Sequence, residues 1–96
     1  MRMSVTITDL AEADLEAVWS YVAADDPVAA DDLLDRIMSI VDMLADTPQA
    51  GRIRSELGQG IRSYSTGNYL VLYRSDHGVL LILRVIHGAR DIEELF

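Results

Sequence analysis

Arg62, Arg84, His87, Arg90 and Asp91 are the side chains of this 96-residue chain whose types and order could do chemistry together. A ribonuclease that turns the 2'-hydroxyl of RNA on its own phosphodiester needs a base, an acid and cations for the phosphate. Arg62, Arg84 and His87 nominally supply these. The same residues have a structural reading, as a histidine satisfied at a strand end and arginines paired with Asp91 or Glu56. His77 lies in a turn and His87 on a strand, with no cysteine anywhere, so no recognised metal-ligand spacing exists and neither metal nor cofactor is expected.

The elements that must position these side chains follow from the apolar pattern. Ser4-Val5-Thr6-Ile7-Thr8 alternates as a half-buried strand does. Asp9, with Glu12 three residues on, has capping-box spacing and opens a first helix. Its stripe Leu15, Val18, Trp19 and Val22 faces the core, with Trp19 expected inside, Tyr21 flanking it, and Glu12, Asp14 and Glu16 toward solvent. Asp26 as N-cap and Pro27 as first helical residue start a second helix, which carries Ala30, Leu33, Leu34, Ile37, Met38, Val41, Leu44 and Ala45 inward until Thr47-Pro48. The short link implies an antiparallel helical hairpin. Gly51 to Gly60 reads as a loop. Turns at Thr66-Gly67-Asn68 and Ser75-Asp76-His77-Gly78 then divide strands 61–65, 69–74 and 79–86. The expectation is a single α+β domain over residues 1–96: an N-terminal strand, a two-helix hairpin and a three-stranded antiparallel sheet that the first strand joins.

The last two strands are apolar on both faces. Strict alternation sets Leu70 and Leu72 against Tyr69, Val71 and Tyr73, and sets Val79, Leu81, Leu83 and Val85 against Leu80, Ile82 and Ile86. Two helices cover one face only, so the other is expected to be a partner surface, unless the tail Ile92 to Phe96 folds over it.

Charge narrows the partners. The net charge is -8, and it is unevenly spread: residues 1–48 hold two arginines against eleven acids, and residues 49–96 hold six arginines against five acids. Such a chain repels polyanions, so direct binding to nucleic acid is not expected. All cations are arginine, each able to fork onto a carboxylate. The lack of cysteine, of a signal-like N-terminus and of an apolar run of about 20 residues points to the cytoplasm and away from membranes.

Gly60-Ile61-Arg62-Ser63-Tyr64, Asn68-Tyr69-Leu70-Val71-Leu72-Tyr73-Arg74 and Leu81-Ile82-Leu83-Arg84-Val85-Ile86-His87-Gly88-Ala89-Arg90-Asp91 follow Thr47-Pro48-Gln49-Ala50-Gly51-Arg52 in order. With the helix segment Asp14-Leu15-Glu16-Ala17-Val18-Trp19-Ser20-Tyr21-Val22, they resemble the ParE branch of the ParE/RelE toxin superfamily, over nearly the whole chain. The resemblance implies the toxin, or plasmid stabilisation toxin, of a type II toxin-antitoxin system. Such a toxin sits in a hetero-oligomer with a ParD-like antitoxin from the same operon, whose C-terminal segment is disordered alone and folds across the toxin's apolar surface. It also implies a toxin with no catalytic residues, which acts by binding DNA gyrase. RelE-type ribonucleases look basic; here there is no lysine, Tyr69 to Tyr73 carries no cation, Phe96 stands where a terminal tyrosine is common, and His87 alone is left as an acid. A ribosome-dependent mRNA endonuclease using Arg62, Arg84 and His87 is the alternative, and a non-toxic antitoxin-binding relative is another. The residues expected to touch a partner are Arg62, Tyr69, Arg74, Arg84, His87, Arg90 and Asp91, with Arg62, Arg84 and Arg90 acting through forked hydrogen bonds to carboxylates.

Overall fold

The first helix, α1 (Asp9–Ala23), is capped by Thr8 and not by Asp9. Thr8 is extended, and its hydroxyl accepts from the Ala11 amide at 3.2 Å. The same hydroxyl lies 3.0 and 3.1 Å from the carbonyls of Ile82 and Leu83, so the cap also ties the helix to a strand. Asp9 falls in the first turn, where its charge meets the positive end of the helix dipole. The second helix, α2 (Pro27–Asp46), starts as expected, with the Asp26 carboxylate accepting from the Ala29 amide at 3.1 Å.

The computed structural model describes residues 2–92. After β1 (Ser4–Ile7), the helical hairpin and a 3-10 turn at Pro48–Ala50 come β2 (Arg52–Ile53), β3 (Arg62–Thr66), β4 (Tyr69–Asp76) and β5 (Val79–His87), then the one-turn helix α3 (Gly88–Asp91). The strands make one five-stranded mixed sheet in the order β1-β5-β4-β3-β2, with β1 parallel to β5. The expected three-stranded antiparallel unit is therefore its centre. The sequence reading missed β2 because a two-residue strand inside a glycine-rich loop has no alternation to detect.

The helices bury Ala11, Ile37, Val41, Leu44 and Ala45 against Val71, Tyr73, Leu80, Ile82 and Val85. Strict alternation would place Val85 opposite Ile82. Leu72 instead pairs with Arg84 and Tyr73 with Ile82, which leaves Leu83 as an extra residue and turns Val85 back toward the helices. Tyr73 is fully buried. Its hydroxyl donates to the Pro48 carbonyl at 2.6 Å and accepts from the Gly51 amide at 2.8 Å, and burial pushes the phenol above its ordinary pKa.

The second face of the sheet is not bare. Leu70, Leu72 and Ile86 are buried there, with Leu57 and Ile92 packed on them. The loop that brings Leu57 over is closed by the Arg54 amide on the Ile61 carbonyl at 2.8 Å and the Leu57 amide on the Arg54 carbonyl at 3.0 Å. A glycine-rich connection, with Ile92 from the start of the tail, thus covers part of the face that was expected to await a partner. Ile92 is the only tail residue among those described; residues 93–96 lie outside them. Exposed large apolar side chains sit mainly on the helices, at Leu10, Trp19, Tyr21, Val28 and Met38. Trp19 is accordingly no core residue. It is 37% exposed, and its indole N–H donates to Asp31 across the hairpin at 2.8 Å, while Val18 beside it takes the buried position.

Candidate functional site at the end of the sheet

β1 pairs with β5 only as far as Ile82, so beyond that point β5 has an open outer edge. Asp14 of α1 closes it. Its Oδ2 accepts from the Val85 amide at 2.9 Å, supplying the partner that a neighbouring strand would have given. The same carboxylate takes both arms of Arg84, Nε at 2.8 Å and Nη2 at 3.0 Å. Asp14 was expected in solvent, yet its side chain is only 16% exposed. The hydrogen bonds to Asp14, more than any other influence, hold the Arg84 guanidinium above its ordinary pKa. Its fork is therefore occupied inside the molecule by Asp14, not by Asp91 or Glu56.

Immediately downstream, His87 and Asp91 cap α3 reciprocally. His87 Nδ1 accepts from the Arg90 amide at 3.2 Å, and Asp91 Oδ2 accepts from the His87 amide at 3.0 Å. Arg90 Nε donates to Asp91 Oδ1 at 3.1 Å. The His87 amide, followed by Arg90, draws the Asp91 carboxyl below the usual carboxylate range, and Asp91 raises Arg90 in turn. With Nδ1 accepting, a neutral His87 carries its proton on Nε2. The ring stands edge-on to Tyr69 at 5.5 Å, and the Arg90 guanidinium lies 5.9 Å over the ring of Tyr21. These residues line a cavity of about 240 Å³ between α1 and the ends of β4 and β5, with Asp14 and Val18 as its inner wall.

Tyr69, His87, Arg90 and Asp91 of the expected set thus converge, with Arg84 at their edge. Arg62 and Arg74 do not. Arg62 pairs with Tyr73, four positions along β4 from Tyr69, the partner of His87; that separation is about 13 Å along the strand. The Arg62 guanidinium donates instead to the Gly51 carbonyl at 2.9 Å. Arg74 is exposed opposite Leu81, further along the same strand. The ribonuclease trio Arg62, Arg84 and His87 therefore shares no single site.

Arg54 was missed. It donates to Ser63 Oγ at 2.8 Å and lines a second hollow of about 350 Å³ with Ser65, Tyr69, Leu70 and Ile92. Nothing in its loop sequence marks it, because its placement depends on the fold-back of residues 54–61. Tyr21 is exposed beside Arg90, a relation that only the docking of α1 on β5 creates. Among the described residues no group of three or more His, Asp or Glu side chains is placed to hold a metal, and no helix is long and apolar enough to cross a membrane.

A helical hairpin laid on a mixed sheet with this strand order is the fold of the ParE/RelE toxins. Residues 5–92 match the family model described as the ParE toxin of the type II toxin-antitoxin system parDE, and the chain belongs to that family. It is 35% identical over 80 residues to toxin ParE3 of Caulobacter vibrioides, covering 82% of this chain and 80% of the relative. It is 30% identical over 78 residues to toxin RelE2 of the same organism, covering 81% and 86%. Among solved structures it is similar to a chain of the chromosomal ParDE system from P. aeruginosa, with a TM-score of 0.75, 26% identity and coverage of 90% and 96%. It is also similar to a chain of the toxin-antitoxin complex RelBE2 from Mycobacterium tuberculosis, with a TM-score of 0.64, 28% identity and coverage of 91% and 99%.

Proposed function

We propose that this chain is kept inactive in a hetero-oligomer by a ParD-like antitoxin of the same operon, and that the free toxin acts by binding DNA gyrase, not by cleaving RNA. The family and the two structural relatives, both from toxin-antitoxin systems, support an antitoxin partner. One observation carries the non-catalytic reading. The Arg84 fork is filled by Asp14, His87 Nδ1 is spent on the Arg90 amide, and Arg62 lies on backbone carbonyls beside Tyr73, four positions along β4 from Tyr69. Phosphoryl chemistry needs cations aimed together at one developing charge, and here they are dispersed and engaged. The chain as a whole carries a net charge of -8, which disfavours RNA and suits a protein target. Tyr69, Tyr21 and Arg90 at the sheet end are aromatic and arginine side chains of the kind that anchor interfaces.

The test is a supercoiling assay with purified gyrase run beside ribosome-dependent mRNA cleavage. Loss of supercoiling with intact message supports the reading. Message cut at defined positions with gyrase unaffected overturns it and favours the RelE-like alternative.

A further inference from the structure

Arg84 and Arg90 each pair with an aspartate at the sheet end, and they differ in what they have left to give. Arg84 spends Nε and Nη2 on Asp14, and its side chain is 32% exposed. Arg90 spends only Nε, on Asp91, and its side chain is 59% exposed. Among the described residues neither Nη of Arg90 has a hydrogen-bond partner, so the end-on edge of its fork is open. The guanidinium is nonetheless placed, by Asp91 at Nε and by the ring of Tyr21 beneath it; among the described residues no other arginine lies over an aromatic ring. The two acids of the hollow are less exposed than this cation and already engaged. Asp14 accepts from Arg84 and the Val85 amide, and Asp91 from the His87 amide and Arg90.

We infer that the sheet-end hollow receives an aspartate or glutamate side chain of the toxin's protein target, forked onto Arg90 Nη1 and Nη2 between the walls of Tyr21 and Tyr69. The inference deepens the proposed function and rests on its claim that the toxin acts by binding a protein. The two open N–H groups require an acceptor, and a planar carboxylate matches a pair of parallel N–H bonds. A fork held in place beforehand also loses little freedom on binding. A cationic side chain would be repelled by Arg90 at the mouth, and an apolar one would strip water from the fork without replacing its hydrogen bonds. A phosphate would bring more negative charge beside Asp14 and Asp91 than a carboxylate does.

Two measurements separate the site from the target. The first uses no gyrase: its probe is the acetylated, amidated tripeptide Gly-Glu-Gly, followed by NMR at the ring resonances of Tyr69 and His87. The peptide should shift both in a saturable titration, and Gly-Gln-Gly and inorganic phosphate should bind at least roughly tenfold more weakly. Arg90→Lys keeps the charge but not the fork, and Tyr21→Ala removes the shelf from the exposed face of α1 without touching α3. Each should weaken the peptide roughly tenfold, while Arg52→Gln, an exposed arginine on the edge strand β2, should leave it unchanged. In the second measurement, Arg90→Lys and Tyr21→Ala should need roughly tenfold more toxin to inhibit supercoiling and should keep antitoxin binding within about twofold. No saturable shift, equal binding of the glutamate and glutamine peptides, tighter binding of phosphate, or an undiminished Arg90→Lys would overturn the inference. Loss of antitoxin binding with gyrase inhibition intact would overturn it as well, by giving the hollow to the antitoxin. If the wild-type toxin leaves gyrase unaffected, the choice of gyrase fails, and the peptide titration still judges the site.

Discussion

Arg84 and Asp14, seventy positions apart, form a two-pronged ion pair in which the carboxylate also holds the Val85 amide. One side chain thus substitutes for a missing strand and fixes α1 to the sheet. Asp14→Ala should cost about 2 kcal/mol, since it strips a charge-assisted pair and leaves a part-buried amide unmet. Asp14→Asn should cost less, because it keeps one acceptor. Urea denaturation checks both, and an unchanged midpoint for Asp14→Ala would refute the role. Arg84→Glu should likewise lower the stability of the isolated toxin, so weakened partner binding in that variant would not by itself assign Arg84 to an interface.

His87 serves here as a helix cap, which predicts an unusual tolerance. His87→Asn keeps an acceptor near the Nδ1 position and suits an N-cap, but it cannot exchange a proton near neutral pH. Growth arrest on expression without antitoxin should survive His87→Asn. An abrupt loss of arrest, with antitoxin binding retained, would restore His87 as a general acid.

The Asp91 carboxyl titrates below its ordinary value of 3.8 because the ionised form accepts from the His87 amide and from Arg90. The folded pKa is depressed, so the cap's contribution is fully present above about pH 3.8 and is lost as the pH falls through the lower folded value. The amide resonance of His87 should hold its position down to that range and then move with the Asp91 carboxyl. In Asp91→Asn that step should vanish.

Tyr73 joins the end of α2 to the sheet through one hydroxyl. Tyr73→Phe leaves the Gly51 amide and the Pro48 carbonyl without it and should cost about 1–3 kcal/mol. Gly51→Ala should be worse, because its Cβ would run into the Tyr73 ring. Thermal denaturation of the two variants gives the order.

The helical hairpin was legible because its signals are local: Asp26-Pro27 opens α2, Thr47-Pro48 closes it, and the apolar spacing between them has one period. What was not legible depends on contacts between distant segments. Asp9 and Thr8 both cap well by type, and the choice fell to Thr8 because its hydroxyl also reaches β5. The bulge at Leu83 reverses the facing of Val85 with no glycine or proline to announce it. Trp19 has the spacing of a core residue, and only the Asp31 contact across the hairpin shows it at the rim. At the site, the grouping of His87, Arg90 and Asp91 followed from their adjacency in sequence. The isolation of Arg62 followed from strand register, which sequence spacing does not give.

The pairing of the first strand with the last has a consequence for how the toxin comes into being. Ser4 sits beside Val79, and β5 lies between β1 and β4, so an interior strand of the sheet is the last of the five to be synthesised. A nascent chain that has not yet made β5 has the helices but lacks one of the two strands they pack against. The sheet closes only once β5 has been made, and a product terminated before it lacks Leu80, Ile82 and Val85 of the core.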